Sequence, residues 1–284
     1  MTTHLGVFNR LLLATEHTEF DAGAERVALA LAAHLGVALP VVLTIAGNPE
    51  FDAVAPELAA RADAAAADKL QQLRGLAAAQ GVQLAIQVRR GAEPYREIVD
   101  EARAQNSELI LIRRRGRVGM LANLLVGETV SKVVAHAPCS VLVNARGAQL
   151  WRRRIVAAID PQAPDAAVLT RAATLAAAFG LPLTLICVWP GTGERPVQPA
   201  LDAALSRARA LGARVDTEQL AGRVHEQIIA ATRRLDADLI VLGRHGAKRA
   251  PRAFIGNVAQ SVLGLAECSV LVCVPEDSVQ GAMP

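Results

Sequence analysis

The segment LGRHGAKRAPRAFIGN, residues 242–257, follows a run of apolar residues and leads into a stretch with helical spacing. It combines three glycines with four lysine or arginine side chains. An altered copy, IRRRGRVGMLANLLVGE, occupies residues 112–128 in the same kind of setting. A strand, a glycine-containing loop and a helix that occur twice indicate a duplicated α/β unit.

Other short segments recur in register with this one. The three matched pairs are RLLLATE (10–16) with RIVAAID (154–160), ELILI (108–112) with DLIVL (238–242), and CSVLV (139–143) with CSVLV (268–272). A chain of 284 residues suits two domains of about 140 residues each. We therefore predict domains at 1–146 and 151–284, with a junction near 145–153.

Each half alternates short apolar runs with helical stretches. Strands are predicted at 10–15, 38–45, 82–88, 108–112, 140–144, 154–159, 182–188, 213–219, 238–242 and 269–274. Helices are predicted at 21–35, 53–79, 94–105, 127–136, 163–179, 198–211, 222–235 and 256–266. Strands apolar on both faces and separated by helices indicate parallel sheets. The predicted fold is two tandem doubly wound sandwiches, each a five-stranded parallel sheet of order 3-2-1-4-5 flanked by helices.

The amino-acid composition argues against several classes of function. The net charge is only +3 and aromatic residues make up 3%, which disfavours nucleic acid as a partner. The apolar stretch at 27–47 is interrupted by His34, Gly36 and Pro40, so it reads as a buried helix and strand and no membrane segment is expected. Cys139, Cys187, Cys268 and Cys273 show no metal or redox spacing and are interpreted as buried apolar residues in a cytoplasmic protein.

The glycine-containing loop of the second copy could bind phosphate. Ligands of doubly wound sheets lie at the carboxyl ends of the strands where the strand order reverses, which would place Asp160 beside Gly243. Gly256-Asn257 opens a helix whose N–H groups favour anions, and Asn257 can cap that helix or hydrogen-bond an anion. Arg244 adds positive charge. The alternative is that the glycines are ordinary turn residues and the charges are solvated.

The spacing Gly243-x2-Gly246-x9-Gly256-Asn257, with Asp160 at the end of a first strand, resembles the universal stress protein family. The resemblance covers nearly the whole chain twice, and the Gly-Asn pair together with the altered first copy resembles the tandem subgroup called UspE. It implies that Asp160 contacts adenine and that Val188 lines the base site. It also implies ATP, with or without Mg²⁺, as the ligand. Gly243, Gly246 and Gly256 would contact ribose and phosphates, with Asn257 and Val258 donating N–H groups. Asn257 departs from the family's Ser or Thr.

The first copy departs further from that pattern. Glu16 replaces the aspartate, Arg113 replaces the first glycine, and Glu128 puts a carboxylate at the helix N-terminus where a phosphate would sit. Like charges would repel there, so we expect no ATP binding in the first copy, where Glu128 could serve the helix as a bound anion does. The arginines at 113–117 are interpreted as a solvated face, with a different anionic ligand as the alternative.

Neither a catalytic nor a metal site is predicted. None of the six histidines stands in a nucleophile or metal motif, and there is no P-loop. Three hypotheses remain: a nucleotide-binding regulatory module, a nucleotide-free scaffold that acts on unknown protein partners, or a binder of another small ligand. In the family, final strands pair between protomers. The resemblance therefore implies that 140–144 and 269–274 are candidate edges for an intramolecular pseudo-dimer or a homodimer.

Overall fold

A computed structural model describes residues 7–16, 18–47, 54–114, 127–161, 165–189, 198–244 and 254–274. Within these ranges the chain divides between Leu150 and Trp151 into two compact units, called here the first and the second domain. Val7 groups with the second domain, where Nη1 of Arg171 donates a hydrogen bond to the Val7 carbonyl at 2.7 Å. The predicted limits, 1–146 and 151–284, include residues outside the described ranges and stay a prediction.

The first domain consists of a parallel sheet flanked by α-helices, with a short 3-10 helix at Glu19–Asp21. Its strands are β1 (Leu11–Thr15), β2 (Leu39–Ala46), β3 (Leu84–Gly91), β4 (Leu109–Arg113) and β5 (Ser140–Asn144). β1 pairs with β2 and β4, β3 pairs with β2, and β5 pairs with β4, which gives the order 3-2-1-4-5. The helices are α1 (Ala22–Leu35), α2 (Pro56–Ala79), α3 (Pro94–Ala104) and α4 (Glu128–His136).

The second domain repeats this arrangement. Its strands are β6 (Ile155–Ala158), β7 (Pro182–Trp189), β8 (Arg214–Ala221), β9 (Leu239–Gly243) and β10 (Ser269–Cys273). β6 pairs with β7 and β9, β8 pairs with β7, and β10 pairs with β9. The helices are α5 (Ala166–Phe179), α6 (Gln198–Ala210), α7 (Val224–Arg234) and α8 (Asn257–Leu265).

Local chemistry explains where several helices begin and end. Pro56 and Pro94 begin α2 and α3, where a missing N–H costs nothing. Gly36 and Gly180 follow α1 and α5 with φ of 66° and 64°, the left-handed conformation that glycine adopts without steric cost. Asp165 accepts a hydrogen bond from the N–H of Ala167 at 2.8 Å and so caps α5.

The predicted fold class and strand order are confirmed. One detail differs, because β3 and β8 continue to Gly91 and Ala221, and each is exposed at four of its eight positions rather than apolar on both faces. Each of these two strands lies at the outer side of its sheet, where one face is only partly covered. The side chains of β5 and β10, the candidate edge strands, are buried at all five positions.

Candidate functional site

A cavity of about 310 Å³ lies at the carboxyl ends of β6, β7 and β9. Cavities that hold small ligands typically measure ~300–1,000 Å³, so this one is large enough for a compact ligand. The lining residues are Ala158, Ile159, Asp160, Pro161, Ile186, Val188, Trp189, Val224, Ile228, Leu242, Gly243, Arg244, Gly256, Asn257, Val258 and Ala259. Most of them are apolar, and the charged members are Asp160 and Arg244.

The strand order explains why a cavity forms at this place. The chain leaves β6 for β7 on one side of the sheet, and later returns to β9 on the other side of β6. The connections therefore turn away from each other at the end of β6 and leave a crevice. Asp160 follows β6 by two residues, and Gly243 ends β9. The predicted placement of these two residues at one crevice is confirmed.

The structure brings seven of the eight predicted nucleotide-binding residues to the wall of this cavity. These residues are Asp160, Val188, Gly243, Arg244, Gly256, Asn257 and Val258. Gly246, with the basic residues Lys248, Arg249 and Arg252, lies outside the described residues. Whether the seven residues bind a nucleotide stays a prediction.

Backbone hydrogen bonds pin the two ends of the glycine-containing loop together. The N–H of Arg244 donates to the carbonyl of Cys273 at 3.1 Å, and the N–H of Gly256 donates to the carbonyl of Arg244 at 2.9 Å. The end of β9 and the start of α8 are thus held side by side at the cavity. A ligand in the cavity would contact both elements at once.

The start of α8 offers hydrogen-bond donors to the cavity. The helix runs from Asn257, and the N–H of Gln260 donates to the carbonyl of Gly256 at 2.9 Å. The N–H groups of Asn257, Val258 and Ala259 precede this first helical bond, and all three residues line the cavity. Gly256, not Asn257, is the N-cap, so the capping role considered for Asn257 is wrong. The N-terminal end of the helix dipole favours an anion there.

Asp160 and Arg244 give the cavity wall both signs of charge. Arg244 is only 5% exposed. Burial, and secondarily the negative charge of Asp160, raise the pKa of the nearby Cys187 thiol to about 11. This pKa keeps the Cys187 thiol protonated at neutral pH. The predicted burial of cysteines holds for Cys139, Cys187 and Cys273, whereas Cys268 is partly exposed.

Sequence reasoning missed several residues of the cavity wall, among them Trp189, Val224 and Ile228. Val224 and Ile228 lie four residues apart on α7, a spacing that puts both on one face of a helix. This four-residue spacing was the sequence signal that could have identified Val224 and Ile228. Trp189 immediately follows Val188 at the end of β7, one residue beyond the predicted end of the strand.

In the first domain a buried arginine, Arg113, takes the strand position of the cavity-lining Gly243. Arg113 ends β4 as Gly243 ends β9, and Glu16 follows β1 at the position of Asp160. The Arg113 guanidinium forms an ion pair with Glu16, and its Nε lies 3.1 Å from Oδ1 of Asp21. Its Nη1 donates to Oγ1 of Thr18 at 3.1 Å. The side chain is 7% exposed, so the interpretation of this arginine as part of a solvated face is wrong.

Glu128 does not fill the place of a phosphate as expected. Nζ of Lys132 lies 2.8 Å from Oε1 of Glu128 and 3.3 Å from Oε1 of Glu93. The hydrogen bond from Lys132 lowers the pKa of the Glu128 carboxyl, and the Glu128 side chain is 81% exposed. The Glu128 carboxylate thus pairs with Lys132, one turn further along α4, and remains exposed to solvent. Arg115 and Arg117 lie outside the described residues.

Among the described residues, no group of three or more His, Cys, Asp or Glu side chains is arranged to hold a metal ion. Within the same ranges no helix combines the length and the apolar character that a membrane span needs.

Both halves of the chain are similar in sequence to one protein family. The sequence model of the universal stress protein family matches residues 8–144 and again residues 152–274. A curated universal stress protein of Methanocaldococcus jannaschii is 36% identical over 75 residues, which are 26% of this chain and 44% of that protein. The alignment thus spans under half the length of the curated relative.

Solved structures share the fold. A universal stress protein from Pseudomonas aeruginosa superposes with a TM-score of 0.69 at 21% identity and covers 95% of both chains. One from Archaeoglobus fulgidus gives a TM-score of 0.68 at 19% identity, with 95% of this chain and 97% of that chain covered. A further Archaeoglobus structure, solved in complex with dAMP, covers 43% of this chain and 98% of its own, with 25% identity and a TM-score of 0.36. With both halves matched by the family model, the chain belongs to the universal stress protein family.

Proposed function

We propose that the second domain binds an adenine nucleotide, with ATP as the expected ligand, and that this binding regulates contacts with protein partners during stress. The proposal rests on one observation: two kinds of binding group, a hydrogen-bond acceptor and an anion-binding helix start, line the same cavity. A carboxylate, Asp160, and an anion-binding helix start, Asn257–Ala259, line the same 310 Å³ space. A nucleotide needs both, because its base and ribose donate hydrogen bonds whereas its phosphates accept them.

Each part of the wall suits one part of the ligand. The Asp160 carboxylate can accept from the adenine amino group or a ribose hydroxyl. Ile186 and Val188 offer an apolar surface to the base. The N–H groups at the start of α8 and the guanidinium of Arg244 suit phosphate oxygens. When bound, the nucleotide itself would supply charge at this helix start, and we assign no catalytic step to the residues around it.

We expect one nucleotide site per chain. Arg113 stands at the strand position of Gly243 in the first domain, and its guanidinium already has three polar partners there. A nucleotide would have to displace a buried cation from two carboxylates to bind. The first domain therefore serves as a nucleotide-free partner of the second. Membership of the UspE subgroup and a cytoplasmic location belong to the same proposal.

Isothermal titration of nucleotide-stripped protein with ATP, in the presence and absence of Mg²⁺, tests the proposal. We expect micromolar binding near one ATP per chain in the wild type and none in Asp160→Ala or Gly256→Glu. Gly256 has φ of −62°, which any residue can adopt, so the glutamate introduces charge at the helix start without forcing the backbone.

The matched control is Asp202→Ala, which removes a carboxylate from the exposed face of α6 in the same domain. Its ATP affinity should equal that of the wild type. Absence of heat and of a thermal shift at millimolar ATP in the wild type would reject nucleotide binding. The scaffold hypothesis, in which the protein acts through protein contacts alone, would then take its place.

A further inference from the structure

A second cavity of the second domain, about 170 Å³ in volume, lies between the end of β6 and the helices α5 and α6. The residues that line it are aliphatic except for Asp165 and Arg207. We propose that this cavity binds a free α-amino acid with a small aliphatic side chain. The side chain lies against the aliphatic wall, the ammonium group faces Asp165, and the carboxylate faces Arg207.

The equivalent place in the first domain can be identified from the repeat. The segments RLLLATE and RIVAAID align β1 with β6, and α1 and α5 are both 14 residues long and end before a left-handed glycine. Both α2 and α6 end two residues before a glycine with positive φ. These alignments pair three residues of the cavity wall with three residues of the first domain: Ile159 with Thr15, Leu169 with Glu25, and Ala200 with Lys69.

In the first domain these three positions form a polar network. Oγ1 of Thr15 donates a hydrogen bond to Oε1 of Glu25 at 2.8 Å, and Nζ of Lys69 lies 3.1 Å from the same oxygen. The side chains of Lys69 and Glu25 are only 11% and 6% exposed. In the second domain an alanine replaces the long lysine side chain, and aliphatic residues replace its two partners. The replacement removes both volume and polar groups, and an apolar cavity stands at this place.

The two charged residues at the cavity have opposite signs. Oδ1 of Asp165 accepts a hydrogen bond from the N–H of Ala167 at 2.8 Å, as the N-cap of α5. The exposed Arg207 guanidinium has no hydrogen-bond or ion-pair partner among the described residues, so it does not pair with Asp165. An amino acid at neutral pH carries an ammonium and a carboxylate next to its side chain. Its two charges therefore complement those of the wall.

The volume of the cavity limits the size of the ligand. An aliphatic cavity of ~150 Å³ holds one benzene molecule in another protein, so a side chain of the size of leucine fits here and a nucleotide does not. Each methylene that is buried raises affinity roughly fourfold. L-Leucine should consequently bind at least about tenfold more tightly than glycine, which has no side chain to bury.

Two-dimensional NMR of the full-length chain, titrated with L-leucine, tests the proposal. We expect saturable shifts of amide signals in α5 and α6. Isocaproate lacks the ammonium group and isoamylamine lacks the carboxylate, so each should bind roughly fivefold more weakly than L-leucine. These two compounds separate an amino-acid site from a site for any aliphatic ligand.

Variants of the wall locate the binding. Arg207→Gln and Asp165→Asn each remove one charge and should weaken L-leucine binding roughly fivefold, while the asparagine can still cap α5. Ala200→Leu fills the cavity and should abolish the binding. The matched control is Arg209→Gln, which removes an exposed arginine of α6 that does not line the cavity. Its affinity for L-leucine should equal that of the wild type.

Three results would overturn the proposal. The first is the absence of saturable shifts with L-leucine at tens of millimolar, and the second is unchanged binding in Ala200→Leu. The third is binding of isocaproate or isoamylamine as tight as that of L-leucine, which would show that the two charges do not select a zwitterion. The nucleotide proposal is tested separately, because the two cavities share Ile159 but none of their charged residues. Loss of either site leaves the other unaffected.

Discussion

Replacement of Arg113 by alanine should strongly destabilise the first domain. The Arg113 side chain is 7% exposed and contacts Asp21, whose side chain is 1% exposed, and Glu16, which is 27% exposed. Removal of the guanidinium leaves two carboxylates close together without their cation. One of them has almost no access to water, so its charge is poorly solvated.

The expected loss follows from what remains around Asp21. Breaking a buried ion pair by deleting one partner typically costs ~3–5 kcal/mol. Oδ2 of Asp21 keeps hydrogen bonds from the N–H groups of Glu16 and Thr18, at 3.2 and 3.3 Å, and from Oγ1 of Thr18 at 3.0 Å. These donors continue to compensate part of the charge. We therefore expect the lower end of the range, about 3 kcal/mol.

Urea unfolding measures this loss. Far-UV circular dichroism follows both domains, whereas Trp151 and Trp189 both lie in the second domain and report its unfolding alone. The comparison of the two signals identifies which domain loses stability. Arg113→Lys should lose less than Arg113→Ala, because it keeps the charge but cannot span three acceptors.

A surface ion pair of the same domain serves as the control. Nη1 of Arg103 lies 2.7 Å from Oδ1 of Asp100, with side chains 56% and 58% exposed. Arg103→Ala should lose no more than about 1 kcal/mol, because exposed pairs are weak. Equal losses for Arg113→Ala and Arg103→Ala would refute the claim that Arg113 holds the first-domain crevice together.

Two further predictions concern packing and protonation. Gly23→Ala should destabilise the first domain, because a Cβ there collides with the carbonyl oxygen of Ala145. At Gly75 an added Cβ meets no atom within 4 Å, so Gly75→Ala should stabilise α2 by about 0.5–1 kcal/mol. Urea midpoints that shift in the same direction for both variants would contradict this reasoning. Cys187 should titrate with a pKa of about 11, and Asp160→Asn should lower that value without restoring an ordinary thiol, because burial is the larger cause. Peptide-resolved alkylation across a pH series measures this pKa, and an unchanged midpoint in Asp160→Asn would show that the Asp160 charge does not reach the thiol.

Most of the fold could be predicted from the sequence because each element carries its own signal. The apolar run of β9, Leu239–Gly243, and the glycines after α1 and α5 mark elements without reference to the rest of the chain. The alternation of strands and helices predicted parallel sheets with right-handed crossovers, whereas the order 3-2-1-4-5 was assumed and is confirmed by the strand pairs. The extent of β3 was less accessible, since its exposed residues carry a mixed pattern that depends on which face the neighbouring helices cover.

The candidate site was only partly accessible from the sequence. The loop residues Gly243, Gly256 and Asn257 belong to one local pattern, and Asp160 was linked to them through topology. The contribution of α7 depends on how that helix packs over β7, which no spacing within the loop encodes. The role of Arg113 was missed for a related reason. A basic residue in a loop usually faces water, and only the folded chain shows Glu16, Thr18 and Asp21 around it.

The two domains differ at one position beside the crevice, the last residue of the fourth strand. Gly243 lines the cavity of the second domain, and Arg113 is its counterpart in the first. As glycine, residue 243 leaves a cavity of about 310 Å³ beside Asp160. As arginine, residue 113 supplies the cation that the neighbouring carboxylates require, and the domain needs no ligand to satisfy them. The regulation by nucleotide proposed above therefore concerns the second domain, where glycine stands at position 243 and Asp160 lines the cavity.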